Sequence, residues 1–139
     1  MTEKKVIELY TLEDYEADLR EVWSMEDLGQ KRARSGAATK RYKQTVLFHC
    51  LEKIEAQESV DLTPTLALHL VKGWMGRGID RLVLNKWFMT TGRTAENKSE
   101  DHHRKDELIK KYSGQVSDAI KQAESEMRQV KSRLAALHG

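Results

Sequence analysis

The chain has 139 residues with a single proline and eight glycines, which leaves little turn-forming material for a fold of many strands. Hydrophobic residues make up 39% and charged residues 33%, a balance that fits one small domain with a modest core. The net charge is only +2, and no apolar stretch approaches the length of a membrane span. We therefore expect an all-α protein of about four helices followed by a long, coiled-coil-like C-terminal helix.

Charge is distributed unevenly along the sequence. Residues 1–28 contain nine acidic and three basic residues, whereas residues 31–43 contain six basic residues and no acidic one. Six further basic residues, against two acidic ones, fall within residues 72–98. The near-neutral total thus hides a basic middle behind an acidic front.

The first predicted helix follows Thr11, a favourable N-cap with Asp14 three residues on. Its apolar stripe continues as far as Leu28, and Gly29 is expected to end it. Residues 29–40 are basic and contain a Ser-Gly break, a pattern that is typical of a linker.

Three shorter helical patterns follow this stretch. A second helix is predicted from about residue 37 to 57, and Cys50 on its apolar face is assigned to the core by its residue type. Thr63 followed by Pro64 is a typical helix start and begins the third helix. A fourth helix is predicted from about residue 79 to 91. Because Cys50 is the single cysteine and cannot form an internal disulfide, we expect a cytoplasmic protein.

The clearest periodicity lies in the last helix, which is predicted to begin near residue 99. Its apolar positions recur every 3.5 residues on average, the spacing of a helix that lays one stripe against a partner helix. This stripe consists of Ile109, Tyr112, Val116, Ile120, Ala123, Met127, Val130, Leu134 and Leu137.

The length of this helix suggests that it pairs with a second copy. A continuous helix over residues 108–137 would span roughly 45 Å, more than the roughly 34 Å diameter expected for the rest of the chain. We therefore predict a helical domain at residues 1–98 and an oligomerisation helix at residues 99–139, most simply in a homodimer. In the alternative, the helix bends at Gly114 and packs on its own domain.

The basic middle is the candidate functional surface. Cations without nearby acids are what a phosphate backbone selects, because each contact releases a condensed counterion. The candidate nucleic-acid-binding residues are Lys31, Arg32, Arg34, Lys40, Arg41, Lys43, Arg77, Arg81 and Lys86. Nucleic-acid contact is the favoured interpretation; the alternatives are an acidic protein partner, ion pairs to the acidic first helix, and a plain solvated linker.

The segment 76–80, Gly-Arg-Gly-Ile-Asp, joins the third and fourth helices. The amides of Gly78, Ile79 and Asp80 could hold a phosphate there, with Arg77 beside them, but a glycine helix stop explains the same residues and is favoured. Trp74 and Trp87 could stack on bases, although both lie on apolar stripes that predict core packing.

The sequence contains no catalytic or cofactor motif, so we expect neither an enzyme nor a cofactor. Adjacent His102 and His103 point to different sides of a helix, and no metal site is predicted. The leading hypothesis is a small accessory or regulatory protein that binds DNA or RNA and self-associates through its last helix, without membrane contact. The alternative is a protein-binding adaptor or inhibitor that acts through the acidic first helix or the last helix.

Overall fold

A computed structural model describes residues 9–60, 62–76, 79–91 and 102–138. It contains five helices: α1 (Leu12–Ser24), α2 (Leu28–Glu58), α3 (Pro64–Met75), α4 (Arg81–Thr91) and α5 (His102–His138). The described part of the chain is 88% helical and contains no strand. The all-α prediction and the long C-terminal helix are therefore confirmed.

Two helix starts lie where the capping residues predicted them. The Thr11 hydroxyl accepts a hydrogen bond from the Asp14 amide at 3.0 Å, and the Asp14 carboxylate accepts one from the Thr11 amide at 2.9 Å. At the start of α3, Thr63 Oγ1 accepts from the Leu66 amide at 3.2 Å, with Pro64 as the first helical residue. Local side-chain acceptors thus fix both starts.

The predicted basic linker at residues 29–40 is wrong, because these residues form the first turns of α2. Asp27 caps this helix by accepting a hydrogen bond from the Gln30 amide at 2.9 Å, so α1 ends before Asp27. Most of the segment is Gln, Lys, Arg and Ala, which favour helix. Ala38 is fully buried against neighbouring helices, and this packing outweighs Gly36, which costs about 1 kcal/mol relative to alanine.

The two longest helices, α2 and α5, run antiparallel. The Tyr42 hydroxyl donates to Glu126 Oε2 at 3.1 Å towards one end of the pair. Gln57 Nε2 donates to Gln115 Oε1 at 3.2 Å towards the other end. Helices α1 and α3 each pack against both members of the pair, and α4 packs against α2.

The core has two parts along this pair. One apolar cluster joins the second half of α2 to α3, α4 and the first half of α5, and Phe48 stacks on Trp87 there with ring centroids 4.9 Å apart. The other cluster joins α1, the first half of α2 and the second half of α5. In it, the rings of Tyr15 and Tyr42 lie 6.2 Å apart.

The apolar stripe of α5 belongs to these two clusters. Its buried members are Tyr112, Val116, Ala123, Met127, Val130 and Leu134. Ile109 and Ile120 are partly buried against the same core, and Leu137 is 74% exposed. Within one copy of the chain, this stripe therefore supplies core residues, and its role in oligomerisation stays a prediction.

Helix α2 is longer than predicted, because its first turns occupy the segment that was predicted to be a linker. With its additional turns, α2 has 31 residues and spans roughly 46 Å, which is long enough to cover most of α5. Helix α5 remains helical through Gly114. Helix α5 packs against α1, α2 and α3, and the predicted division into a helical domain and an oligomerisation helix stays a prediction. No helix in the described ranges has both the length and the apolar content that a bilayer crossing requires.

Candidate nucleic-acid interface

Helix α2 distributes its basic residues over different faces. At 100° per residue, Arg34 and Arg41 share one face two turns apart, whereas Lys40 and Lys43 lie on another. Because the linker is helical, the six cations of residues 31–43 cannot act as one flexible patch. Each face therefore has its own surroundings.

The face with Arg34 and Arg41 is used inside the protein. Arg34 Nη2 lies 3.1 Å from Asp18 Oδ1 and also contacts Glu21, both on α1. Arg41 Nε donates to Asp80 Oδ2, just before α4, at 3.2 Å. The hydrogen bond that Arg34 donates to Asp18 raises the pKa of Arg34. These two candidate phosphate contacts are thus ion pairs that hold α1 and the start of α4 against α2.

The candidate phosphate cradle at the start of α4 already contains a carboxylate. Asp80 Oδ1 accepts hydrogen bonds from the amides of Leu82 at 2.9 Å and Val83 at 3.4 Å. An internal anion therefore satisfies the first amides of α4, and a phosphate at the preceding amides, those of Gly78, Ile79 and Asp80, stays a prediction. Arg77 and Gly78 lie outside the described residues.

The other sequence-predicted cations are dispersed. Lys31 and Arg32 lie on the first turns of α2, and Arg81 and Lys86 are exposed on α4. Lys86 lines a cleft between α1 and α4 together with acidic residues that include Asp18. The structure does not bring these four side chains together into one positive surface.

A different set of cations meets on the open side of the α2–α5 pair. Lys40 and Lys43 of α2 face Arg128 and Lys131 of α5 across two adjoining depressions, which share Thr39 and Lys43 in their linings. The larger depression has a volume of about 400 Å³. We call this feature, with its four cations, the basic groove.

The cations of the basic groove differ from Arg34 and Arg41 in having no ion pair. Within the ranges that the structure describes, no carboxylate lies within 4.0 Å of Lys40, Lys43, Arg128 or Lys131. Glu124 contributes a carboxylate to the described lining. Four cations therefore face one acid, and the groove has a positive potential that attracts anions.

The basic groove also has polar and apolar walls. Ser35 and Thr39 contribute hydroxyls from α2, and Trp74 and Met75 close the groove where α3 ends. Trp74 is partly buried, and its indole Nε1 has no hydrogen-bond partner among the described residues. Gly36 leaves the helix backbone open: a Cβ added there would meet nothing within 4 Å.

The two tryptophans considered for base stacking therefore have different environments. Trp87 is 2% exposed and stacks on Phe48 in the core, as its apolar stripe predicted. Trp74 also contacts the core at its edge, but it lines the basic groove. The left-handed conformation of Gly76, with φ of 67°, ends α3 as the helix-stop interpretation expected.

Lys40 and Lys43 are among the nucleic-acid-binding residues predicted from the sequence, whereas Arg128 and Lys131 are not. These two residues flank the apolar stripe of α5 and come next to α2 only through the antiparallel pairing of the helices. The sequence places them next to Met127 and Val130 of the apolar stripe, but it does not show that they lie opposite Lys43 of α2. Long-range packing therefore creates the groove.

Neither metal chemistry nor a known relative identifies the site. In the described part of the chain, no three His, Cys, Asp or Glu residues form a group that could hold a metal ion. No protein-family model matches the sequence, and neither a curated protein nor a solved structure matches it. The residues of the basic groove are therefore the basis for a proposal about function.

Proposed function

We propose that the protein binds the phosphate backbone of DNA or RNA in the basic groove between α2 and α5. The observation that carries this proposal is the set of four cations, two from each helix, that have no ion pair among the described residues. Each cation that contacts a phosphate releases a condensed counterion, which gives affinity without sequence preference. The proposal keeps the anionic partner expected from the sequence but moves the contact to a different surface.

The chemistry of the groove favours an accessory or regulatory role over catalysis. Its described lining offers ammonium and guanidinium groups, hydroxyls and apolar side chains. This combination holds an anion in place, and the Thr39 hydroxyl donates to the Ser35 carbonyl oxygen rather than to a general base. Cys50 is a buried free thiol, which is compatible with action in the reducing cytoplasm.

The adaptor alternative is less favoured because its two surfaces already have internal roles. On α1, Glu16 pairs with Arg133 at 3.3 Å and Asp18 pairs with Arg34 at 3.1 Å. The apolar stripe of α5 is buried in the core. A homodimer through that stripe is no longer part of the proposal.

Charge removal from the groove tests the proposal. The groove variant changes Lys40, Lys43, Arg128 and Lys131 to Gln. The control variant changes Lys53, Lys105, Lys110 and Arg81 to Gln, which removes the same number and types of charges outside the groove. Fluorescence anisotropy with a labelled oligonucleotide gives the affinity at several salt concentrations, and circular dichroism checks the fold of each variant.

The wild-type protein and the control variant should show a log–log salt slope of roughly −3 to −4, as expected for about four phosphate contacts. The groove variant should bind much more weakly, with a slope flatter by at least about two units. If wild-type protein fails to bind at about 50 mM salt, or if both variants lose affinity equally, the proposal is wrong. Binding to a protein partner that survives the groove substitutions would instead favour the adaptor alternative.

A further inference from the structure

The basic groove has three features that phosphate contacts alone do not require. These are the aromatic wall at Trp74, the unpaired indole N–H of that residue, and the open backbone at Gly36. We propose that the groove takes a single strand of nucleic acid, with a base against Trp74 and the strand passing over Gly36. This inference rests on the proposed function and names the form of nucleic acid that the groove accepts.

The shape of the groove favours a single strand. It lies between two packed helices, whose axes are about 8–10 Å apart in ordinary helix packing, so it is a narrow valley. A duplex keeps its bases stacked inside a rigid double helix, whereas a single strand can follow such a valley with its bases turned towards the protein. One sugar–phosphate strand with its bases can enter, while its phosphates meet Lys40 and Lys43 on one side and Arg128 and Lys131 on the other.

Trp74 provides a surface that only an unpaired base can use. Bases in a single strand can be splayed out and stacked on aromatic side chains, whereas bases in a duplex are stacked on each other. The indole Nε1 is buried without a partner among the described residues, so no internal hydrogen bond fixes the orientation of the ring at the wall of the groove.

Gly36 is explained poorly by the fold itself. Glycine inside a helix lowers stability relative to alanine, and it is often retained where another group approaches closely. Gly73 is such a case, because a Cβ there would lie 2.5 Å from Ile109 Cδ1. Gly36 has no such neighbour among the described residues, its φ is not left-handed, and it faces the groove. Gly114 is equally free of neighbours, so it is the position of Gly36 in the lining of the groove that connects this glycine with a ligand.

The experiment compares an oligothymidylate with a DNA hairpin duplex that has the same number of phosphates. Trp74→Leu keeps the groove wall apolar but removes the stacking surface, and Trp23→Leu changes a half-exposed tryptophan outside the groove as its control. Gly36→Ala narrows the groove. Gly114→Ala is its matched control, since Gly114 is also helical, exposed and free of neighbours within 4 Å of an added Cβ.

Wild-type protein should bind the single strand at least about tenfold more tightly than the duplex. Trp74→Leu should lower the affinity for the single strand roughly tenfold and leave the affinity for the duplex unchanged. Both glycine variants should raise the unfolding temperature, but only Gly36→Ala should weaken binding of the single strand. Equal binding of both DNAs, with Trp74→Leu and Gly36→Ala at wild-type affinity, would overturn the single-strand assignment. If the groove variant still lost affinity in that case, phosphate binding would stand; if it bound like wild type, the proposed function would fail as well.

Discussion

The hydroxyl of Tyr112 donates a hydrogen bond to Glu58 Oε2 at 2.7 Å and so ties the last turn of α2 to the early turns of α5. Lys111 Nζ lies 2.7 Å from the same oxygen, and Arg104 Nη2 lies 3.0 Å from Glu58 Oε1. Hydrogen bonds from Lys111 and Tyr112, with the nearby charges, hold the pKa of Glu58 below its usual range. One carboxylate thus fastens the antiparallel pair at the end remote from Tyr42.

Replacement of Glu58 by Gln should lower the unfolding temperature near neutral pH and reduce the sensitivity of stability to acid. Folding lowers the pKa of Glu58, so its contribution is present above the pKa of the unfolded carboxyl, about 4.3, and is lost as pH falls through the lower folded value. Thermal unfolding followed by circular dichroism from about pH 7 to about pH 3 measures both effects. Glu26→Gln, at an exposed position outside the helices, should behave like wild type. Identical curves for Glu58→Gln and wild type would contradict this role.

Asp80→Ala should lower the free energy of unfolding by about 1–2 kcal/mol, because it removes an acceptor for the first amides of α4. It also leaves Arg41 without its partner. Asp80→Asn keeps an acceptor for the amides and removes only the charge, so it should lower the free energy of unfolding by less than Asp80→Ala does. Urea unfolding monitored by helical ellipticity gives both values. Wild-type stability in Asp80→Ala would show that α4 begins without this cap.

The double change Val130→Asp and Leu134→Asp should abolish cooperative folding, because both side chains are fully buried and new carboxylates would have no partners there. Leu137→Asp, at an exposed position on the same helix, should leave the helical content and the unfolding temperature unchanged within error. Circular dichroism measures whether the double variant is folded, and sedimentation equilibrium measures whether the wild-type protein and the variant are monomers or dimers. A folded, fully helical monomer obtained from a wild-type dimer would restore the oligomerisation hypothesis for this stripe.

Trp87→Ala should lower the free energy of unfolding by about 3–5 kcal/mol, the range for truncation of a large buried aromatic residue. Its ring is 2% exposed and stacked on Phe48. Leu82→Ala on the same helix removes an apolar side chain that is 63% exposed, and its effect should stay within about 0.5 kcal/mol. Denaturant unfolding measures the difference, and equal effects of the two substitutions would count against a core position for Trp87.

The parts of the fold that could be predicted from the sequence are those that depend on interactions between residues close in the chain. The starts of α1 and α3 depend on Thr11 and Thr63, whose side chains act within three residues, so they could be recognised directly. The start of α2 also has a local cap, Asp27, but the Ser-Gly pair at 35–36 is a local turn signal that favoured a linker. The helix continues through that pair, and Ala38 just beyond it is fully buried. Where local preference and packing disagreed, packing prevailed.

The candidate site was less predictable because charge alone does not reveal its partner. Asp18 lies 16 residues from Arg34, and Asp80 lies 39 residues from Arg41, so neither ion pair follows from sequence spacing. Lys43 belonged to the same basic stretch but faces α5 and has no ion pair among the described residues. Only the arrangement of helices separates cations that stabilise the fold from those available to a ligand.

The two walls of the basic groove come from distant parts of the chain, since Thr39 and Met127 line the same depression. A nascent chain that has left the ribosome only as far as α4 already displays Lys40 and Lys43, but it has no opposite wall. Domains acquire their structure as synthesis proceeds from the N-terminus, and contacts between remote segments pay the larger loop-closure entropy. The groove is therefore completed only after α5 has been synthesised and has docked, so the proposed contact with nucleic acid requires the finished chain.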